Sequence, residues 1–317
     1  SKPLKISVQM TVKNSDINFD FTGTSTQVKT AINNVPSSAT SAVMFGIRTL
    51  TGDASPDNEG GFRPVSIYFP EGSIVNPYFP APVASRSVSL RRVVDVILGV
   101  LSKALPQKYP AANCGQASVI YCGSVDQNTN ETIVGAIGGP WMGGMGARPD
   151  KDGIDTTDHD ASNVYHVPIE VSEAELPIRF NKMELWKDSG GPGKWRGGLG
   201  FHSEVEWLKG HATASLRRDR HKFNPWGLSG GHAAPRCKTA IKKKGSKSKM
   251  IPGKSHIHLN EGDILELWTT GSGGHSNPLQ RDINLVLIDY LDKKISKKSA
   301  FEIYGVVINN NKINLLK

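Results

Sequence analysis

The residues able to do chemistry in this 317-residue sequence fall into a few tight groups. Arg217, Arg218, Asp219, Arg220 and His221 gather four cationic or titratable side chains around one acid. That composition suits a carboxylate or phosphate ligand, or a salt-bridged strand end. Asp155, Asp158, His159 and Asp160 mix hard and borderline metal donors, in a polar stretch after Lys151-Asp152-Gly153 that an acidic loop explains equally well. His256 and His258 flank Ile257, so on a strand both rings leave one face, as a metal pair or as two surface histidines on an edge strand. Gly227-Leu228-Ser229-Gly230-Gly231 spells the nucleophile-elbow pattern, which needs an apolar strand before it. Residues 217–226, dominated by Arg217-Arg218-Asp219-Arg220-His221-Lys222, cannot be that apolar strand, so Ser229 is not read as a nucleophile. Cys114, Cys122 and Cys237 contain no CxxC pair and fit small buried hydrophobes in a reducing cytoplasm better than a disulfide framework or a zinc site.

Glycine is concentrated where chemistry could be framed. Four clusters, at 138–146, 190–200, 227–231 and 271–274, hold 17 of the 33 glycines. Glycine permits positive φ and close backbone approach, so these loops can form anion nests or leave room for a substrate; tight turns between twisted strands are the alternative. Neither GxGxxG nor GxxxxGK[ST] occurs, so a Rossmann or P-loop nucleotide cradle is excluded and any ATP must be bound elsewhere. The net charge is +9, and eight of the positive residues lie between Arg236 and Lys254, where there is no acid and no aromatic. That stretch reads as a solvated lysine-rich surface loop rather than a nucleic-acid patch. No run of eighteen apolar residues predicts a transmembrane helix, and Ser1–Met10 lacks the apolar core of a secretory signal.

The elements that must carry these groups follow from periodicity. Alternation over 4–22, with a turn at Asn14-Ser15-Asp16, predicts a hairpin with one buried face. Ala39, Val43, Ile47 and Leu50 predict a helix from Pro36 to Leu50 with Ser37 as N-cap, and Val93, Val94, Ile97, Val100 and Leu101 a second from Ser87 to Leu105. Beyond residue 115, strands are expected at 118–121, 132–137, 178–186, 201–207, 211–216, 264–269 and 284–290, the run at 264–269 being buried on both faces. Residues 296–304 predict a short helix before Val306-Val307-Ile308. The fold class expected is α+β and β-rich, with mixed sheets, two main helices in the N-terminal third and a strand-rich, glycine-loop C-terminal half. A hairpin-and-helix subdomain over 1–112 and a strand-rich domain over 113–317 are expected, the boundary near 110–115 or 150–160.

A family pattern runs through these residues. Asp20-Phe21-Thr22-Gly23-Thr24-Ser25, Gly61-Phe62-Arg63-Pro64, Gly72-Ser73-Ile74-Val75-Asn76-Pro77, Pro80-Ala81-Pro82-Val83, Gly143-Gly144-Met145-Gly146-Ala147-Arg148 and Pro168-Ile169-Glu170 follow one another in order. Asp188-Ser189-Gly190-Gly191-Pro192-Gly193-Lys194-Trp195-Arg196-Gly197-Gly198-Leu199-Gly200 is the most specific block; Pro225 to Gly231, Thr270 to Gly274 and Tyr304 to Val307 follow it. Together they resemble the hydantoinase B/oxoprolinase family over nearly the whole chain.

That resemblance implies an ATP-dependent cyclic amide or imide hydrolase, opening 5-oxoproline or a hydantoin. It would work with a kinase-like hydantoinase A-type subunit that binds ATP with Mg. An ATP-dependent ketone carboxylase subunit and a non-catalytic scaffold are the alternatives. The chain resembles the C-terminal part of the family pattern, so the upstream half, which looks like the bearer of the His/Asp ligands of a divalent metal, is expected on another polypeptide or in a longer protein. His166 stands where the pattern has an asparagine. On this reading Asp188, Arg196 and Arg148 are the catalytic candidates. Gly143, Gly144, Gly146, Ser189, Gly190, Gly191, Arg217, Arg220, Gly273 and Gly274 would bind substrate, its carboxylate or the transferred phosphate. Asp158, His159 and Asp160 are the candidate metal ligands within the chain, and a cytoplasmic homo- or hetero-oligomer without nucleic acid or membrane is expected.

Overall fold

The computed structural model describes residues 3–52, 58–116, 119–125, 129–139, 141–158 and 162–314. The chain divides into two compact units, Ser1–Tyr109 with Asp160–Ser162, and Pro110–His159 with Asn163–Lys317. The fold is α+β and β-rich, as its sequence pattern predicts.

In the first unit, β1 (Gln9–Lys13) and β2 (Asp16–Asp20) form the expected hairpin, pairing Met10 with Phe19 and Val12 with Ile17. Asn14 supplies the turn with φ 53°, a left-handed conformation that asparagine adopts more readily than most residues. α1 (Pro36–Thr51) opens differently from expectation: Pro36 occupies the first position, where its fixed φ and missing N–H cost nothing. Val35 is therefore the N-cap, no side-chain cap forms, and Ser37 lies inside the first turn. The short α2 (Glu59–Phe62) precedes β3 (Val65–Tyr68), which adds parallel to β2. α3 (Arg86–Ala104) buries Val93, Val94, Ile97, Leu98 and Leu101 against α1. The two helices meet at Gly46, where a Cβ would lie 2.3 Å from Ile97 Cγ2.

The second unit is a sandwich followed by a small helical module. Its strands are β4 (Tyr121–Val125), β5 (Thr132–Ala136), then after α4 (Ile169–Glu175) β6 (Ile178–Leu185), β7 (Phe201–Trp207), β8 (His211–Arg217), β9 (Lys238–Lys242), β10 (Lys249–Met250), β11 (Lys254–Asn260) and β12 (Ile264–Trp268). They assemble into sheets of order β10-β9-β12-β7-β6 and β11-β8-β4-β5. Inward residues of both sheets, among them Ile120, Phe201, Trp207, Leu216, Leu259, Leu265 and Leu267, form one apolar core. The module comprises α5 (Ile283–Leu291), α6 (Lys297–Glu302), β13 (Val307–Asn309) and β14 (Lys312–Asn314) around Val286, Ile295, Ala300, Tyr304, Val306 and Ile308.

Four expectations are corrected here. Residues 284–290 are helical: the Asp282 carboxylate accepts the Asn284 amide at 2.7 Å, and buried Val286 and Asp289 are three apart, the helical period. Across the short aliphatic run Leu285–Ile288 the strand and helix patterns coincide, and the cap decides. β12 is buried on one face, with Ile264, Glu266 and Trp268 half-exposed on the other, because the antiparallel sheet leaves its outer face open. The lysine-rich stretch 236–254 is no loop but a hairpin, in which Thr239, Ala240 and Ile241 are buried between outward Lys238 and Lys242. Of the strand expected at 118–121, position 118 lies outside the described residues, Val119 and Ile120 precede the strand, and β4 runs from Tyr121.

Candidate functional site

The glycine clusters meet. Four of the family blocks, 143–148, 188–200, 225–231 (with His232 just beyond it) and 270–274, cross one another in the second unit and are joined backbone to backbone. The Gly144 amide donates to Thr270 O, Ala147 to Gly273 O, Gly191 to Ser272 O, Ser272 to Gly198 O, and Gly274 to His232 O, at 2.7–3.4 Å. The approach is closer than any side chain allows: a Cβ on Gly144 would lie 2.0 Å from Gly198 O, and one on Gly273 1.9 Å from Trp226 O. The clusters are thus neither isolated turns nor an open anion nest, since these N–H groups are spent on neighbouring loops. Ser189 helps close the mesh, its buried Oγ accepting the Gly200 amide at 2.9 Å.

One side of the mesh is fastened to the helical module by a buried ionic network. Arg196, 2% exposed, places Nε 3.3 Å from Asp289 Oδ2 and Nη1 3.2 Å from Asp155 Oδ1 and 2.7 Å from Gly197 O. Arg281 grips Asp152 with both terminal nitrogens at 2.7 Å and donates to Asp289 Oδ2 at 2.8 Å. Asp152 Oδ1 also accepts the Arg196 amide, Asp155 Oδ1 the Leu199 amide, and Lys294 Nζ lies 3.2 Å from Asp155 Oδ2. Three carboxylates thus face two arginines and a lysine, a neutral set. Burial alone would raise the Asp155 pKa, but Arg196, the Leu199 amide and Lys294 outweigh it and hold the carboxyl below its usual value. Asp188, exposed and at φ 61°, accepts the Ser296 amide at 2.8 Å and so pins the start of α6.

The other side carries arginines solvated by oxygen atoms of the fold. Arg218 is 1% exposed and donates to Lys238 O, Thr239 Oγ1 and Trp268 O at 2.6–2.9 Å; burial lowers its pKa. Arg220, at φ 61°, donates to Cys114 O and Asn113 O at 3.0 and 3.1 Å, while Arg217 is exposed. His221 accepts from Thr239 Oγ1 at one nitrogen and donates to Asp219 O from the other, a neutral arrangement; burial and Arg218 push it down to about 4. Cys237 receives Gln116 Nε2 at 3.0 Å and the Thr270 amide at 3.2 Å, yet burial pushes its thiol up to about 11. Cys122 is likewise pushed to about 11, and all three cysteines are free and buried. These thiols are packing groups rather than nucleophiles.

The remaining candidates scatter. Arg148 is half-buried, its amide closing a turn onto Lys151 O and its Nη2 3.5 Å from Met145 Sδ. Asp158 Oδ2 accepts the Val164 amide at 2.9 Å, while His159 and Asp160 lie outside the described residues. His256 and His258 are exposed on edge strand β11, with His258 Nδ1 3.3 Å from Thr213 Oγ1. Ser229 is exposed at φ 54° in the Leu228–Gly231 turn. Among the described residues no group of three or more His, Cys, Asp or Glu side chains could hold a metal ion. His166 sits edge-on to Trp141 and Phe201, its Nδ1 2.8 Å from Val167 O, and its buried Nε2 finds no partner among the described residues. Sequence reasoning missed Arg281, Asp152, Asp289 and Gln116; their partners lie up to 129 positions away, and no local pattern marks them.

The family model described as hydantoinase B/oxoprolinase matches residues 1–278. An uncharacterised protein of Methanocaldococcus jannaschii is 38% identical over 97% of this chain and 53% of its own length. The putative B-type subunit of a D-/L-hydantoinase from Pseudomonas sp. strain NS671 is 34% identical over 98% of this chain and 53% of its own. The chain therefore spans about half the length of these relatives. The crystal structure of the ATP-dependent caprolactamase from Pseudomonas jessenii superposes with a TM-score of 0.86 at 24% identity, over 97% of this chain and 54% of that one, which shows the shared fold. With the family model covering most of its length, this chain belongs to the hydantoinase B/oxoprolinase family.

Proposed function

We propose that the chain is the C-terminal part of the B-type component of a cytoplasmic, ATP-dependent cyclic amide or imide hydrolase that opens 5-oxoproline or a hydantoin. The observation that carries this reading is the 34% identity, across 98% of the chain, to a putative B-type hydantoinase component. An amide is a poor electrophile; phosphorylating its oxygen creates a leaving group before water attacks. A kinase-like A-type subunit supplies that phosphate from ATP with Mg, and the family's upstream half supplies the divalent metal. Within this chain the mesh of Gly143, Gly144, Gly146, Ser189, Gly190, Gly191, Gly273 and Gly274 forms a rigid wall of the site. Arg148 is the contact for the substrate carboxylate or the transferred phosphate, because its half-buried guanidinium stands beside that wall. Arg196 and Arg220 are positioning residues, their N–H groups already held by carboxylates and carbonyls. Asp188 positions the helical module, and Arg217, exposed at the end of β8, is a second candidate contact for an anionic substrate group.

The test is reconstitution with the upstream half and an A-type subunit, following phosphate and ring-opened product together. Expected is ATP-dependent opening of 5-oxoproline or hydantoin, with a raised KM in Arg148→Ala. Phosphate release that requires bicarbonate and a ketone would replace this reading with the carboxylase. An assembled complex without turnover would replace it with a scaffold.

A further inference from the structure

The loop that carries Arg148 belongs to a bulged hairpin. Gly143 pairs with Thr157, whose amide donates to Gly143 O at 2.9 Å, and the Met145 amide donates to Ile154 O at 2.9 Å. Gly144 therefore faces two residues, Asp155 and Thr156, and such a bulge bends the strand and re-aims its side chains. Asp155 turns into the ionic network, its Oδ1 taking the Leu199 amide at 2.8 Å and lying 3.2 Å from Arg196 Nη1. Thr156 is left half-exposed at φ 39°. Left-handed backbone suits glycine, or failing that asparagine, and a branched Cβ there is strained. Among the described non-glycine residues at positive φ, Thr156 alone is branched at Cβ. Its backbone is clamped, since its own amide donates to Leu199 O at 2.9 Å and the next to Gly143 O. The neighbouring crossings are made by Gly143, Gly144, Gly153 and Gly198, yet here the chain holds a threonine. The Thr156 hydroxyl makes no hydrogen bond among the described residues, so no polar contact within the fold accounts for it. Strained residues of this kind cluster where side chains meet ligands.

We propose that Thr156 is a substrate contact, its hydroxyl hydrogen-bonding the ring amide of a lactam whose carboxylate lies on Arg148. The inference rests on the hydrolase reading and narrows its substrate to a cyclic amide that carries a carboxylate, as 5-oxoproline does. Arg148, near the tip of the hairpin, meets Met145 Sδ at 3.5 Å and no oxygen among the described residues, so its guanidinium is unspent, unlike those of Arg196 and Arg220. Between that tip and Thr156 stand Met145 and Ile154, joined across the hairpin, with Ile154 54% exposed. A cation at one end, a hydroxyl at the other and apolar side chains between them match a carboxylate, an amide and the methylene groups of a small ring.

The chain reconstituted with its upstream half and an A-type subunit, assayed on 5-oxoproline, tests the contact. Expected is a fall in kcat/KM of about fivefold to tenfold in Thr156→Val, which keeps the shape and removes the hydroxyl, with recovery in Thr156→Ser. Thr156→Gly, which releases the strain, should lose at least as much kcat/KM while its urea midpoint is no lower than that of the wild type. Wild-type kcat/KM in Thr156→Val and Thr156→Gly overturns the contact and leaves the hydrolase reading standing. A lowered urea midpoint in Thr156→Gly also overturns it, because the side chain would then be holding the fold. Circular dichroism checks that Thr156→Val is folded; if it is not, Thr156→Gly and Thr156→Ser decide by the same criteria. A wild-type complex that opens no lactam overturns the hydrolase reading and the contact together.

Discussion

The two sides of the glycine mesh bury arginine in opposite ways. Toward the helical module, Arg196 and Arg281 are met by Asp152, Asp155 and Asp289, carboxylates gathered from both ends of the unit. Toward β9 and β12, Arg218 is met by two carbonyls and a hydroxyl, and no carboxylate pairs with it among the described residues. The first arrangement is neutral and raises the pKa of both arginines; the second leaves a positive charge in the interior, and burial lowers its pKa. Ion pairs spanning distant segments hold modules together, whereas a charge solvated by backbone oxygens holds a local corner and biases every titratable neighbour. His221 and Cys237, both beside Arg218, feel that bias.

Removing one partner from each side separates the two cases. Arg281→Leu takes the ion-pair partner from the half-exposed Asp152 and leaves the buried Asp289 with Arg196 alone. The unfolding free energy from urea titration should fall by about 3–5 kcal/mol, with the module around α5 loosening first in hydrogen exchange. Arg218→Met fills a similar volume and removes an uncompensated charge, leaving Lys238 O and Trp268 O without a donor. That should cost about 1–3 kcal/mol. If Arg218→Met proved as damaging as Arg281→Leu, the distinction between the two sides would fail.

Much of this arrangement is legible in the sequence, and the remainder divides by range. The glycine blocks can be found because close backbone approach demands glycine at each crossing point, so the requirement is written residue by residue. Helices α1 and α3 and strands β6 and β7 are legible from their periodicity. The role of Arg196 is not: whether a guanidinium faces a ligand or Asp155 and Asp289 depends on chain returning from 41 and 93 positions away. The same holds for Lys243, which looks like one more solvated lysine until β12 brings the buried carboxylate of Asp263 within 2.7 Å. In α5 the local signal is present but degenerate, since the aliphatic stretch Leu285–Ile288 satisfies both periods and the Asp282 cap breaks the tie.

The pH responses of the two sides should also differ, and more finely. His221 is held near 4 when folded, against about 6.5 when unfolded, so between those values the unfolded chain binds more protons. Stability from this residue is complete above about 6.5 and is lost as pH falls toward 4, by no more than about 1.4 kcal/mol per pH unit. His221→Gln, which keeps an acceptor for Thr239, should flatten the stability profile in that window.

Asp155 is the smallest and sharpest case. Its folded pKa lies below the carboxylate value of the unfolded chain, so its contribution is present above about 4 and disappears as pH falls through the folded value. Asp155→Asn keeps an oxygen for Arg196 and for the Leu199 amide and removes only the charge. Wild type should therefore be the more stable at pH 7, and the gap should close on acidification below about 4. Because Asp155 keeps 19% of its side chain exposed and Lys294 reaches it from the surface, salt screens part of the effect. The gap at pH 7 should narrow in high salt, while the loss in Arg281→Leu, which takes a partner from the buried carboxylate of Asp289, should change less. A gap that persists at low pH, or that ignores salt, would mean that Asp155 acts by shape alone and that the neutral side of the mesh is not held by charge.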